Sequence, residues 1–318
     1  MKKTIISLVF VLAKFVLLAQ TNIGFSESEI TLITQSGNLH GTITIPKNIE
    51  TSPIILIIPG SGSPDRDGNC IPIGLHTNNL KMLSESLAKK GISTLRFDKR
   101  GVGKSKQIVT NESELRFENY IDDVVGWISL LKKDKRFPDI TILGHSEGSL
   151  IGMIAAQQTN ISSFISVEGV GKSADILLQA QLKQLPPQLL SESNNIIDSL
   201  KVGKTVSKVN PNLIRIFRPS LQPYLISWMK YDPANEIAKL KIPTLIIQGT
   251  TDLQVSVDDA KLLSEAKPAA KLVIIENMNH FFKESGSDIQ KNLATYRNPE
   301  LPLKQEIVDE IVSFVKDR

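Results

Sequence analysis

The segment Ile140-Thr-Ile-Leu-Gly144-His145-Ser146-Glu147-Gly148-Ser-Leu-Ile-Gly152 constrains the fold more than any other stretch of this chain. A short apolar run suited to a buried strand leads directly into a serine between two glycines. Small and aliphatic residues with a helical pattern follow. A backbone that passes from strand to helix in so few residues must bend sharply at the serine, and small residues on either side permit the bend. The expected product is a serine hydroxyl lifted clear of a sheet edge.

The flanking chain has the same rhythm. Residues 30–34 and 39–45 are β-type runs around Gln35-Ser-Gly-Asn38, a hairpin signal. Residues 53–58 form a continuous apolar run, as in a strand covered on both faces. Residues 79–90 carry leucines at 80, 83 and 87, end at Gly91 and predict a helix. Strands are expected at 93–97, 140–143, 164–167, 244–247 and 272–275. Helical spacing marks 121–131, 150–158, 257–266 and 307–315. Such alternation predicts an α/β fold, a mostly parallel central sheet with helices on both faces. Residues 171–236 interrupt it with a leucine-rich, helix-like stretch from 175 to 200, broken further on by Pro211, Pro219 and Pro223. They are expected to form a helical cap over the carboxyl edge of the sheet, where open α/β sheets bind ligands.

The domain reading follows. Residues 1–19 read as a secretory signal peptide, with Lys2 and Lys3 before an apolar run and Ala19 at the cleavage position. Export to the periplasm or medium is the expectation. The competing reading, an uncleaved anchor, is opposed by Lys14, which breaks the apolar run short of the ~20 residues of a span. Residues 20–50 form the hairpin, 51–170 the first part of the core, 171–236 the cap and 237–318 the second part. The net charge of +4 falls to +1 when Lys2, Lys3 and Lys14 are removed with the signal, so no basic patch points to nucleic acid. Cys70 is the single cysteine, which excludes an internal disulfide.

Cleavage of a carboxylic ester or amide by serine needs a nucleophile, a base, an orienting acid and donors for the oxyanion. Ser146 is the expected nucleophile. His280 is the one histidine after it, in a loop just past the strand at 272–275, and is the expected base. Asp252, directly after the strand at 244–247, is the expected acid; Glu168, at the end of an earlier strand, is the alternative. Backbone N–H groups of Glu147 and of Ser61 are the expected oxyanion donors, with Gly62 in reserve for the second. Ser61 lies in Pro59-Gly-Ser-Gly-Ser-Pro64, directly after the strand at 53–58.

With these residues in order, the chain resembles the α/β-hydrolase superfamily, and within it the branch of serine carboxylesterases and serine-aminopeptidase-like hydrolases. The resemblance rests on Pro59-Gly-Ser-Gly-Ser-Pro-Asp-Arg-Asp67, Arg96-Phe-Asp-Lys-Arg-Gly-Val-Gly-Lys-Ser105, Gly144-His-Ser-Glu-Gly148, Gln248-Gly-Thr-Thr-Asp252 and Asn279-His280. It implies acyl-enzyme chemistry on a Ser-Asp-His triad, with no cofactor and no metal, acting on a small-molecule ester or, alternatively, a short peptide. A binding protein on a hydrolase scaffold is the reading from another class. The oxyanion loop departs from many relatives in beginning Pro-Gly rather than His-Gly.

Two motifs point elsewhere. Gly101-Val-Gly-Lys-Ser105 looks like the end of a phosphate-binding loop, but G-x-x-x-x-G-K-S would need glycine where Asp98 stands. A turn with ion pairs is the expectation for Asp98, Lys99 and Arg100. His40, His76 and His145 have no metal-ligand spacing, and His145 is expected to be structural. Nothing in the sequence specifies the oligomeric state.

Overall fold

The computed structural model describes residues 24–109 and 111–317. The expected signal peptide at 1–19 lies outside them. Among the described residues no helix is long and apolar enough to cross a membrane.

The strands are β1 (Phe25–Thr34), β2 (Gly37–Pro46), β3 (Ile54–Ile58), β4 (Ser93–Phe97), β5 (Ile140–His145), β6 (Ser163–Val167), β7 (Thr244–Gly249) and β8 (Lys271–Ile275). They form one sheet in the order β1-β2-β4-β3-β5-β6-β7-β8. β1 and β2 form an antiparallel hairpin, β2 lies antiparallel to β4, and every pairing from β4 to β8 is parallel. The register Thr34↔Gly37 makes the hairpin turn Gln35-Ser36, tighter than the sequence implied.

Helices α1 (Asn79–Lys89), α2 (Phe117–Leu131) and α3 (Glu147–Gln158) connect the first strands. β3, β5 and β6 are buried along their whole length because helices cover both faces, which is why their sequences are continuous apolar runs. Two apolar clusters result. One, around Trp127, Phe164 and Leu150, lies under α2 and α3. The other, around Leu83, Leu245 and Ile311, lies under α1 and the last helix.

Between β6 and β7 lie α4 (Ala174–Gln181), α5 (Pro187–Lys201), α6 (Ile214–Phe217), α7 (Gln222–Trp228) and α8 (Pro233–Ala238). The stretch expected to be continuous from 175 to 200 is two helices. Pro186 and Pro187 lack the N–H groups that would carry α4 onward, and Pro187 sits in the first turn of α5. The insertion is anchored to α2: the Phe117 N–H donates to Ser227 Oγ at 2.8 Å, and the Phe117 and Trp228 rings stack at 6.1 Å. After β7 come α9 (Val257–Ala266), α10 (Ile289–Thr295) and α11 (Gln305–Lys316). α10 has no sequence counterpart above. Its seven residues are too short for a periodic pattern, and its N-cap Asp288 is the sole local signal.

Candidate active site

β5 ends at His145, and α3 begins at Glu147, three residues earlier than its apolar pattern suggests. Ser146 between them takes φ 55° and ψ −122°, a conformation side chains rarely adopt. The surroundings hold it there. A Cβ on Gly144 would lie 2.3 Å from the Gly148 carbonyl oxygen, and one on Gly148 would lie 2.5 Å from the Ile58 oxygen. The two glycines are therefore required by contact, and the bend between them follows.

The parallel register then assembles the rest. The Ser146 N–H donates to Val167 O at 3.0 Å, and the Glu168 N–H to Ile247 O at 2.9 Å, so the ends of β5, β6 and β7 are neighbours. β7 pairs with β8 up to Gly249↔Ile275, which brings the loops carrying Asp252 and His280 side by side. His280 Nδ1–H donates to Asp252 Oδ2 at 2.6 Å, with both side chains buried. At that separation the two atoms are a hydrogen-bonded pair and too close to flank a metal ion, although Glu168, Asp252 and His280 otherwise meet within 4.8 Å.

Asp252 Oδ1 also accepts from the N–H groups of Gln254 (2.6 Å) and Val255 (3.0 Å). Burial works against its charge. The adjacent His280, the hydrogen bonds from it and from Glu168, and the Gln254 N–H outweigh burial and hold the carboxyl down at about 2. Glu168 behaves in the opposite way. Burial, the Asp252 charge and their shared hydrogen bond push it well above the usual carboxylate range, against the Gly249 N–H at 3.0 Å. The two carboxyls are thus pushed in opposite directions, and Asp252 is the one that takes the imidazole.

His145 Nε2–H donates to the His280 carbonyl at 2.9 Å, and the two rings lie 4.7 Å apart. It braces the loop, and burial followed by the neighbouring imidazole lowers it to about 3, so it stays uncharged. Asp98, Lys99 and Arg100 do form a turn of ion pairs. Asp98 takes the Arg66 N–H at 2.9 Å, its guanidinium at 2.6 Å and the Lys104 N–H at 2.9 Å. A Cβ on Gly103 would fall 2.4 Å from Asp98 Oδ2, so that glycine makes room for a carboxylate rather than a phosphate. Arg100 holds Asp123 with two 2.6 Å bonds.

Ser146, Glu147, Ser61 and His280 line one cavity of about 980 Å³, walled on the insertion side by Tyr224, Leu225 and Trp228. Ser61 is exposed to it, and among the described residues no protein group accepts its N–H. Cys70 also lines the cavity, half-buried, just before the three-residue 3-10 turn Ile71–Ile73.

The chain as a whole has known relatives. A family model described as serine aminopeptidase, S33, matches residues 73–284. The chain belongs to that family. Esterase EstD of Thermotoga maritima is 26% identical over 261 residues, 80% of this chain and 60% of its own length, so the chain spans well under two thirds of that relative. A monoglyceride lipase homologue of monkeypox virus is 23% identical over 239 residues, 69% of this chain and 83% of its own. Est1E of Butyrivibrio proteoclasticus, solved with ferulic acid, superposes with a TM-score of 0.60 at 20% identity, over 91% of this chain and all of that one. The Pyrococcus furiosus esterase Pf2001 superposes at 0.59 and 17% identity, over 92% and 91%. These structures share the α/β-hydrolase fold with this member of the S33 family.

Sequence reading named most of the groups that follow but did not pair them. Lys99, the Glu147 side chain and Tyr224 meet beneath the cavity, and Glu168 meets Asp252. No spacing rule links residues that lie 48 and 77 positions apart.

Proposed function

We propose that this protein is a serine carboxylesterase working through an acyl-enzyme. The observation that carries the reading is the 2.6 Å bond from His280 Nδ1 to Asp252, in the same cavity as a serine on a strained strand-to-helix turn. With Nδ1–H committed to Asp252, the imidazole has its Nε2 lone pair free to take the Ser146 proton. Ser146 Oγ attacks the ester carbonyl, and the N–H groups of Ser61 and Glu147 receive the oxyanion. His280 returns the proton to the leaving alcohol. Water then enters, is deprotonated by His280 and releases the acid. No cofactor takes part. The insertion serves as the cap, and its Leu225 and Trp228 give the acyl or aromatic group an apolar wall. The names of the relatives, an esterase and a monoglyceride lipase homologue, support the same bond type.

The S33 family description raises a second reading, removal of an N-terminal residue from a peptide. Such a substrate brings an α-ammonium that needs a free carboxylate. The two carboxylates lining the cavity are both engaged, Glu147 by Lys99 and Tyr224, and Glu112 by Arg218 and Ser220. Lys106, Arg215 and Arg297 line the same cavity with no ion-pair partner among the described residues. An ammonium would be repelled there, which favours the ester.

The test is a panel of p-nitrophenyl esters of graded acyl length beside aminoacyl amides, run on wild type and Ser146→Ala. Ester turnover abolished by Ser146→Ala is expected. Equal turnover by both proteins would sink the reading, and preferential amide cleavage would replace it with the peptidase.

A further inference from the structure

Lys99 is 1% exposed, and everything its ammonium touches belongs to the site. Nζ donates to the Gly60 carbonyl at 2.6 Å and to Glu147 Oε2 at 3.3 Å, and lies 5.0 Å above the Tyr120 ring. Glu147 is 2% exposed, and its other oxygen accepts from Tyr224 OH at 2.6 Å. Burying a charged pair carries a desolvation penalty that its own attraction seldom exceeds, and apolar replacement is often neutral for stability. Stability is thus a poor explanation for a lysine in this place.

The direction of the Gly60 carbonyl supplies a better one. A trans peptide is planar, with its C=O and N–H pointing opposite ways. Gly60 C=O and Ser61 N–H belong to one peptide. With the oxygen held by Lys99, the N–H is turned away from Lys99, and no protein group among the described residues accepts it. A Cβ on Gly60 would lie 3.1 Å from Ser146 Cβ, so this peptide adjoins the serine. Glycine on one side and Gly62, at φ 77°, shortly after leave the loop without intrinsic stiffness. An external clamp is what would fix the peptide's orientation.

We propose that Lys99 is a positioning residue for the oxyanion hole. Its ammonium orients the Gly60–Ser61 peptide so that the Ser61 N–H faces the developing oxyanion, and its ion pair with Glu147 ties that peptide to the residue bearing the second donor. Tyr224 extends the clamp to the insertion, so the wall of the acyl pocket and the oxyanion hole are held by one buried network. The inference rests on the esterase reading above. It differs from a plain structural ion pair in predicting a defect confined to the transition state.

The experiment compares wild type, Lys99→Arg and the double variant Lys99→Met/Glu147→Gln, which removes the charges as a pair. Thermal unfolding and fluorophosphonate labelling of Ser146 report the fold. Readouts are kcat and KM on a p-nitrophenyl ester, and the inhibition constant of a trifluoromethyl ketone, whose adduct carries an oxyanion. In the double variant kcat should fall about 100-fold, the loss typical of one oxyanion donor, and ketone affinity should fall with it while KM stays within about threefold. Lys99→Arg, which can still donate to Gly60, should retain kcat within about tenfold. A labelled double variant with kcat and ketone affinity near wild type overturns the inference while leaving the esterase reading intact. So does a folded, labelled Lys99→Arg enzyme whose kcat falls about 100-fold below wild type, a readout that stands even if the double variant does not fold. Absence of Ser146-dependent turnover in the wild type removes the reading and the inference together.

Discussion

Glu168 and Asp252 are two buried carboxyl groups that both accept from the Gln248 amide, Asp252 at 3.4 Å, and their surroundings push them in opposite directions, Glu168 up and Asp252 down. Two carboxylates this close cannot both hold a charge cheaply, and the division is decided by their other partners. Asp252 has the imidazole, two backbone N–H groups and the Gln248 amide at 3.4 Å, whereas Glu168 has one backbone N–H, from Gly249, and the same amide. The imidazole lies on Asp252, the expected acid, and Glu168, the alternative, stands beside it without one.

Substitution should separate them as well. Glu168→Gln preserves shape and a neutral donor toward Asp252, and kcat/KM on a p-nitrophenyl ester should stay within about threefold of wild type. Glu168→Ala leaves the buried Gly249 N–H without its acceptor and should destabilise the protein by about 1–3 kcal/mol in denaturant melts. Asp252→Asn should lower kcat by about 10⁴, because the imidazole loses its tautomeric preference. Equal losses for Glu168→Gln and Asp252→Asn would contradict the division of roles.

The turn at Ser146 depends on its glycines more than on its serine. Gly144→Ala and Gly148→Ala would each drive a methyl into backbone, at 2.3 Å and 2.5 Å. Each should destabilise by about 2 kcal/mol or more and abolish fluorophosphonate labelling. Ser146→Ala should instead unfold at or near the wild-type midpoint. A normal melt and normal labelling for Gly144→Ala would show that the elbow is not so constrained.

Acid should weaken the fold mainly through His145. Its pKa is ordinarily 6.5 and in the native state is lowered to about 3. Its contribution is complete above pH 6.5 and is lost as the pH falls toward 3, because across that window only the unfolded chain binds the proton. Asp252, lowered from 3.8 to about 2, adds a loss below pH 3.8. Between pH 6 and 4, His145→Gln should flatten the slope of unfolding free energy against pH by about 1.4 kcal/mol per unit. Urea melts at three pH values measure it, and an unchanged slope would remove His145 as the source.

The unpaired cations of the cavity should be visible in substrate preference. A p-nitrophenyl hemiester with a terminal carboxylate should be cleaved faster than the neutral ester of equal length, and an ammonium-bearing ester more slowly. The ratio should shrink as salt rises to about 1 M, where the Debye length is near 3 Å. Arg215→Ala combined with Arg297→Ala should level it. A ratio insensitive to both salt and these changes would assign the cations to the solvent alone.

The sequence determined the features that physics makes local. A strand, a bend and a helix within thirteen consecutive residues leave their requirements in those residues, so Ser146 and its two glycines were legible. Strand-helix alternation is equally local, and its interruption marked the insertion, though the Pro186-Pro187 break and α10 were missed where the pattern is short. Candidate partners for Ser146 followed from order along the chain, which favoured Asp252 over Glu168 without deciding between them. That choice depends on which lone pairs meet which donors and on how much water remains, quantities set by chain segments 80 residues apart folding against each other. The same holds for Lys99, which reads as one charge in a basic turn. Only tertiary structure places it against the Gly60 carbonyl and Glu147, because the low dielectric and the exclusion of water that give such contacts their weight arise when the sheet, α3 and the insertion have closed around them.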